Sequence, residues 1–265
     1  MSFFTANSLC AGYGGKRILS GVSFSLDRGE ITGVIGANGS GKTTLLKALC
    51  GILPYEGTCT LEGKRLDALS ARNIARLISY IPQRSGISID LSALDIVLMG
   101  FNPQLKLLEQ PTRAMQQKAQ QALEQVGLAN RMQENYQHLS EGQKQLCILA
   151  RALVADSRLL LLDEPESALD FHFRHRLLSL LRGWVAAESG RCAAVALHDP
   201  QLALNGCDRL LLLAQGSVQG IITPADDALE TMERALSGLY GSVCLQRCTT
   251  RTGRQQLIML KEETE

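Results

Sequence analysis

One tryptophan, five tyrosines and six phenylalanines are all the aromatic residues in this 265-residue chain. A surface that stacks on bases needs a row of such rings, so single-stranded nucleic acid is a poor fit. Excess charge of either sign is missing too: 27 Lys and Arg stand against 26 Asp and Glu, a net charge of +1. No global field draws the chain to duplex nucleic acid or anionic lipid, and no nucleic-acid partner is expected. No run approaches the ~20 apolar residues of a bilayer-spanning helix. The start MSFFTANSLC lacks the basic stretch and apolar core of a secretory signal. The eight cysteines form no C-x-x-C pair, and no ligand set accompanies Cys244 and Cys248, the closest two. A chain of this length needs no disulfide staple, so the cysteines read as buried thiols in a reducing, cytosolic setting.

What is present is an ordinary globular composition, with 45% hydrophobic and 20% charged residues. Folded, such a chain should expose about 11,000 Å². Apolar runs alternate with helical patterns, the mark of an α/β fold. Ile31 to Gly36 reads as a strand ending in a glycine-rich turn, and Lys42 to Cys50 as the helix after it, stopped by Gly51. Phe3 to Leu9, Val22 to Leu26 and Gly57 to Leu61 read as an antiparallel section. The pattern is helical from about Ser92 to Leu153, with one helix between Pro111-Thr112 and Gly127. Strands return at Leu159 to Asp163, Arg191 to Leu197 and Leu210 to Leu213, and a hairpin is expected around Thr252-Gly253.

Two segments carry chemistry. Gly36 to Thr43, GANGSGKT, matches G-x-x-x-x-G-K-[ST] between a strand and a helix. Its glycines let backbone N–H groups close on phosphate oxygens, and the helix adds its positive end. Lys42 should reach the β- and γ-phosphates, and Thr43 should ligate Mg²⁺. Leu159 to Leu162 make a buried strand that delivers Asp163 to its C-terminal end, where open α/β sheets bind ligands. Asp163 there can hold Mg²⁺, and Glu164 can accept a proton from an attacking water. A third segment, Leu139-Ser140-Glu141-Gly142-Gln143, has the S-x-x-Q spacing of a capping box at a helix N-terminus.

In this order, the third segment resembles the signature sequence of ABC-type ATPases, and the resemblance covers almost the whole chain. It implies a P-loop NTPase (RecA-like) core with an antiparallel β subdomain and an inserted helical subdomain. Residues 1–241 would form one ATPase domain, the helical subdomain spanning about 85–155, with 242–265 as a short extension. Other landmarks match. Tyr13 stands where the family stacks an aromatic on adenine, and Gln83 where a glutamine links the γ-phosphate and Mg²⁺ to the membrane partner. Asp170 ends the loop that crosses to the opposite subunit, although by itself it also suits a helix N-cap. His198 stands where the family has its switch histidine. The resemblance implies ATP and Mg²⁺ as ligands: catalytic roles for Glu164, His198 and Gln83; nucleotide contacts from Tyr13, Gly36, Asn38, Gly39, Ser40, Gly41, Lys42, Thr43, Thr44, Ser140, Gly142, Gln143 and Asp170; and Mg²⁺ contacts from Thr43, Gln83 and Asp163. It implies a head-to-tail homodimer closed by ATP.

Two residues depart from the family pattern, Glu141 for a usual glycine and Glu166 for a frequent threonine. A carboxylate at Glu141 would repel the γ-phosphate if it faced inward, so it is expected to point outward. The segments Ile96 to Gly100 with Asn102-Pro103, Leu197 to Pro200 and Leu211 to Gly216 resemble importers of iron siderophores, haem, cobalamin and related chelates. Such a subunit would serve two membrane permease subunits, fed by an extracytoplasmic substrate-binding protein, from the cytoplasmic face of the membrane. A soluble ABC ATPase of iron–sulfur cluster assembly is the competing reading. Only 97 positions separate Lys42 from Leu139, too few for the long coiled coil of a chromosome-maintenance or DNA-repair ATPase.

Overall fold

The computed structural model describes residues 2–106 and 108–262. Met1, Leu107 and 263–265, which the expected domain spans include, lie outside the described residues. The chain opens with two long strands, β1 (Phe4–Tyr13) and β2 (Lys16–Leu26), then β3 (Ile31–Ile35) and α1 (Lys42–Leu49). Next come β4 (Tyr55–Leu61), β5 (Lys64–Arg65), α2 (Ala71–Leu77) and β6 (Ile78–Ile81). Three helices follow, α3 (Ala93–Leu98), α4 (Arg113–Gln125) and α5 (Glu141–Leu153), then β7 (Leu159–Asp163) and α6 (Phe171–Ala187). β8 (Cys192–Ala196), α7 (Pro200–Gly206), β9 (Arg209–Ala214), β10 (Ser217–Ile222), α8 (Leu229–Tyr240), β11 (Val243–Thr249) and β12 (Gln255–Lys261) complete it.

The strands build three sheets. β2-β1-β4-β5 is antiparallel, β10-β9-β3-β8-β7-β6 is parallel except for β10, and β11-β12 is a separate hairpin. This is the mixed α/β architecture that the sequence implies. Strands of the large sheet are apolar on both faces because both are covered. Leu160 and Leu162 of β7 face α4, α5 and α6, while Leu159 and Leu161 pack with α1 and the antiparallel sheet. Ala193 and Val195 of β8 face the first side, Cys192 and Ala194 the second. A central parallel sheet buried this way fixes the C-terminal ends of β3, β7 and β8 side by side, which places the site.

One detail differs from the sequence reading. Only Cys59, Cys147, Cys192 and Cys207 are buried; Cys10, Cys50, Cys244 and Cys248 are half-exposed, because each lies at an element end or on a sheet with an open face. The expected hairpin is present, and side chains of α7 hold it. Gln201 and Asn205, one turn apart on α7, present their amides to the edge of β12. The Leu257 N–H donates to Asn205 Oδ1 at 2.9 Å and the Met259 N–H to Gln201 Oε1 at 2.8 Å, while Leu257 O accepts from both side-chain amides.

Candidate functional site

The turn after β3 brings backbone close to backbone. A Cβ on Gly36 would stand 2.0 Å from Leu213 O, and one on Gly41, which has a φ of 107°, would stand 2.7 Å from the Leu19 side chain. Only glycine fits both places. The turn leads into α1, whose first residue, Lys42, is 5% exposed and donates from Nζ to Gly36 O at 2.9 Å. Tyr13, Ile18, Asn38 to Thr44 and Glu164 line a cleft of about 290 Å³ above this loop. The Ser40 hydroxyl is buried there without a hydrogen-bond partner. A helix N-terminus with a buried lysine and an orphaned hydroxyl is suited to phosphate oxygens.

β7 delivers the carboxylates. Thr43 Oγ1 donates to Asp163 Oδ1 at 3.0 Å, and Tyr80 OH donates to Asp163 Oδ2 at 3.1 Å. Burial raises the Asp163 pKa, and these two hydrogen bonds work against it. Burial, and then the neighbouring Asp163, pushes the Tyr80 phenol far up, so Tyr80 stays a donor. Glu164 sits in the left-handed region at φ 46°, a strained state for a non-glycine residue that its surroundings impose. Its N–H donates to Ala196 O at 3.0 Å. Glu164 Oε2 accepts from Gln83 Nε2 at 2.9 Å, and Oε1 lies 3.5 Å from Lys42 Nζ. Thr43 with Asp163, and Lys42 with Glu164 and Gln83, thus form two contact groups that chain adjacency at 42–43 and 163–164 sets side by side.

The other expected residues lie elsewhere. Ser140 and Gln143 form a reciprocal capping box at the start of α5, with Ser140 N–H to Gln143 Oε1 at 2.9 Å and Gln143 N–H to Ser140 Oγ at 3.3 Å. Gly142 packs against the loop after β7, where a Cβ would be 2.9 Å from Ala168 O. Asp170 caps α6, accepting from Phe173 N–H at 2.9 Å. None of Ser140, Gly142, Gln143 and Asp170 lines the cleft of its own chain. His198 is exposed just past β8, and its backbone N–H donates to Glu166 Oε1 at 2.8 Å. Glu141 is exposed and pairs with Lys144 at 2.9 Å.

Sequence reasoning did not find Tyr80 or assign a place to Glu166. Tyr80 reaches the site only because β6 pairs beside β7, with Tyr80 opposite Leu161, and no local pattern announces that pairing. Glu166 is 2% exposed, and its departure from the family pattern was the signal available.

The model of the ABC transporter family matches residues 19–167, more than half of the chain. The hemin import ATP-binding protein HmuV of Bordetella pertussis is 38% identical over 90% of this chain and 93% of its own length. A cobalamin import ATP-binding protein, BtuD of Halobacterium salinarum, is 35% identical over 79% of this chain and 52% of its own length. Among solved structures, a chain from an ABC transporter assigned to the metal-chelate type, in an inward-facing conformation, superposes with a TM-score of 0.81. It is 26% identical and the match covers 99% of both chains. With the phosphate loop, the carboxylate pair and this breadth of similarity, the chain belongs to the ABC transporter family, as one of its ATP-binding, ATP-hydrolysing members.

Proposed function

We propose that this chain is the ATPase subunit of an importer for a metal chelate of the iron-siderophore, haem or cobalamin class, working on separate permease subunits. One observation carries the chemistry: Thr43 with Asp163, and Lys42 and Gln83 with Glu164, make contacts of 2.9–3.5 Å beside a glycine-built phosphate cleft. Lys42 and the amides of Gly39 to Thr44 bind the phosphates, and Tyr13, at the cleft's mouth and 47% exposed, packs on the base. Glu164 accepts the proton of the attacking water, and His198 and Gln83 orient water and γ-phosphate. The Thr43 hydroxyl and Asp163 carboxylate, already in contact, are the hard oxygen donors that Mg²⁺ prefers, with Gln83 beside them. When bound, Mg²⁺ supplies charge stabilisation to the phosphates.

One chain offers one cleft and one exposed α5 start that do not meet. In a head-to-tail pair, the Glu141 and Gly142 amides, which lie in a first turn with no upstream helical carbonyl, face the γ-phosphate across the interface with Ser140. ATP then bridges two copies and ADP does not. Asp170 and Gln143 border the same contact. The relatives named for hemin and cobalamin import support the chelate class; with that class the proposal takes a pair of permeases, an extracytoplasmic substrate-binding protein upstream and placement at the cytoplasmic membrane face. These relatives favour chelate import over iron–sulfur cluster assembly.

Glu164→Gln tests the reading. The variant should bind ATP, lose turnover by about a hundredfold or more, and accumulate as an ATP-dependent dimer on size-exclusion chromatography. Hydrolysis at the wild-type rate rejects Glu164 as the base. A pull-down from mild-detergent extract of native cells should recover a polytopic permease; recovery of soluble cluster-assembly proteins alone overturns the transporter assignment.

A further inference from the structure

Glu166 is a carboxyl group with no place in the hydrolytic set, yet it is 2% exposed. It lies in the tight turn after β7, where the Ser167 N–H donates to Glu164 O at 3.2 Å and the Leu169 N–H to Glu166 O at 3.1 Å. Its Oε1 accepts the His198 N–H at 2.8 Å, while Oε2 is buried with no hydrogen-bond partner. The segments leaving β7 and β8 are joined first by backbone, Glu164 N–H to Ala196 O at 3.0 Å. Among the hydrogen bonds of the described residues, the Glu166 bond is the one side-chain link between 163–170 and 196–200. Beyond it Asp199 caps α7, so the His198 main chain is held on both sides.

We propose that Glu166 is a positioning residue for ATP hydrolysis: its single hydrogen bond to the His198 amide fixes the histidine's main chain relative to Glu164. The inference deepens the proposed function and rests on it for the roles of Glu164 and His198. The geometry explains why a buried carboxyl is retained. Glu164 sits two residues earlier on the same turn, so any force on the base moves the Glu166 backbone. The side chain passes that shift to His198, and the histidine keeps its distance from the base. A buried acceptor is required, because a hydrocarbon in that place would orphan the His198 amide. The groups that face Glu166 are Glu164 from its own turn, Arg174 from α6 and Cys207 from the end of α7. None of them donates a hydrogen bond to its Oε2. Among the described residues no other side chain bridges these two segments, so if the bond is cut only the backbone pairing at Ala196 remains, two residues short of His198.

Two nearly isosteric variants separate this role from simple space filling. Glu166→Gln keeps an oxygen acceptor, and Glu166→Met fills the same volume without one. We expect Glu166→Met to lower kcat about tenfold with the KM for ATP within about twofold, and Glu166→Gln to retain more than about half of kcat. Amide hydrogen exchange at His198 is the second readout. It should be protected in the wild type and Glu166→Gln, and about tenfold faster in Glu166→Met. Equal kcat in the two variants overturns the proposal, as does exchange that accelerates while kcat stays unchanged. An unprotected His198 amide in the wild-type chain overturns it without any variant, so a failure of Glu166→Met to fold leaves the idea open to rejection. Exchange does not depend on turnover. A wild type without ATPase activity, or an active Glu164→Gln, would therefore strike the proposed function and leave the tie itself intact.

Discussion

Asp163 is a buried carboxylate held by two hydroxyls, and its neighbour Tyr80 shows what the hold contributes. Removing the Tyr80 hydroxyl leaves Asp163 Oδ2 short of its donor. Tyr80→Phe should therefore cost about 1–3 kcal/mol, read as a lower denaturation midpoint at unchanged m-value. Glu166 gives a pH signature. Burial first, and Glu164 in addition, raise its pKa above the ordinary 4.5, against the pull of the His198 amide. The native chain thus keeps a proton that the unfolded chain releases above about 4.5, so stability falls as pH climbs from there through the raised native pKa. Glu166→Gln cannot ionise. Its stability relative to wild type should increase over that window and then level off, in denaturation series at fixed ionic strength; a difference that shrinks with rising pH contradicts the assignment. Glu141 belongs here as well. It is exposed and engaged with Lys144, so Glu141→Gly trades one first-turn acid for a poor helix former at a cost of about 1 kcal/mol, with ATP binding by one subunit unchanged.

At the level of elements, the parts that announce themselves in sequence are those built from neighbours. The strand-to-helix turn at Gly36–Thr43, the four leucines before Asp163 and the Ser140–Gln143 cap all rest on residues within a few positions of one another, and each appears at its expected place in the fold. The contacts that escape are long-range. Thr43 and Asp163 are 120 positions apart, Tyr80 and Asp163 are 83 apart, and Glu166 and His198 are 32 apart. Lys42, Thr43, Asp163 and Glu164 were legible from two local motifs, Gln83 only through a family resemblance, and Tyr80, which no motif names, not at all. The clasp on the hairpin escaped for the same reason: Gln201 and Asn205 look like ordinary polar residues of a short helix. Replacing both by leucine should speed amide exchange at Leu257 and Met259 by about tenfold, while β3 and β7 amides hold their protection. Uniform loss of protection would mean that the hairpin is part of the main cooperative unit.

The whole molecule exposes 13,564 Å², about a fifth more than the ~11,000 Å² expected for a compact monomer of this mass. Phe171, 79% exposed, follows Asp170 directly, and the proposed dimer would cover it. Gly142 makes that closure testable. A Cβ there would press on the Ala168 carbonyl, so Gly142→Ala in a Glu164→Gln background should lose the ATP-dependent dimer while one subunit binds ATP within about threefold of before. Persistence of the dimer would remove α5 from the interface. The contact between Lys42 and Glu164, at 3.5 Å, has a wider consequence. In the proposed mechanism the lysine that binds the γ-phosphate is also the partner of the proposed proton acceptor, so the arriving phosphate and the carboxylate would compete for one cation. On that reading a subunit without nucleotide would keep its base paired, and loading the fuel would set it free.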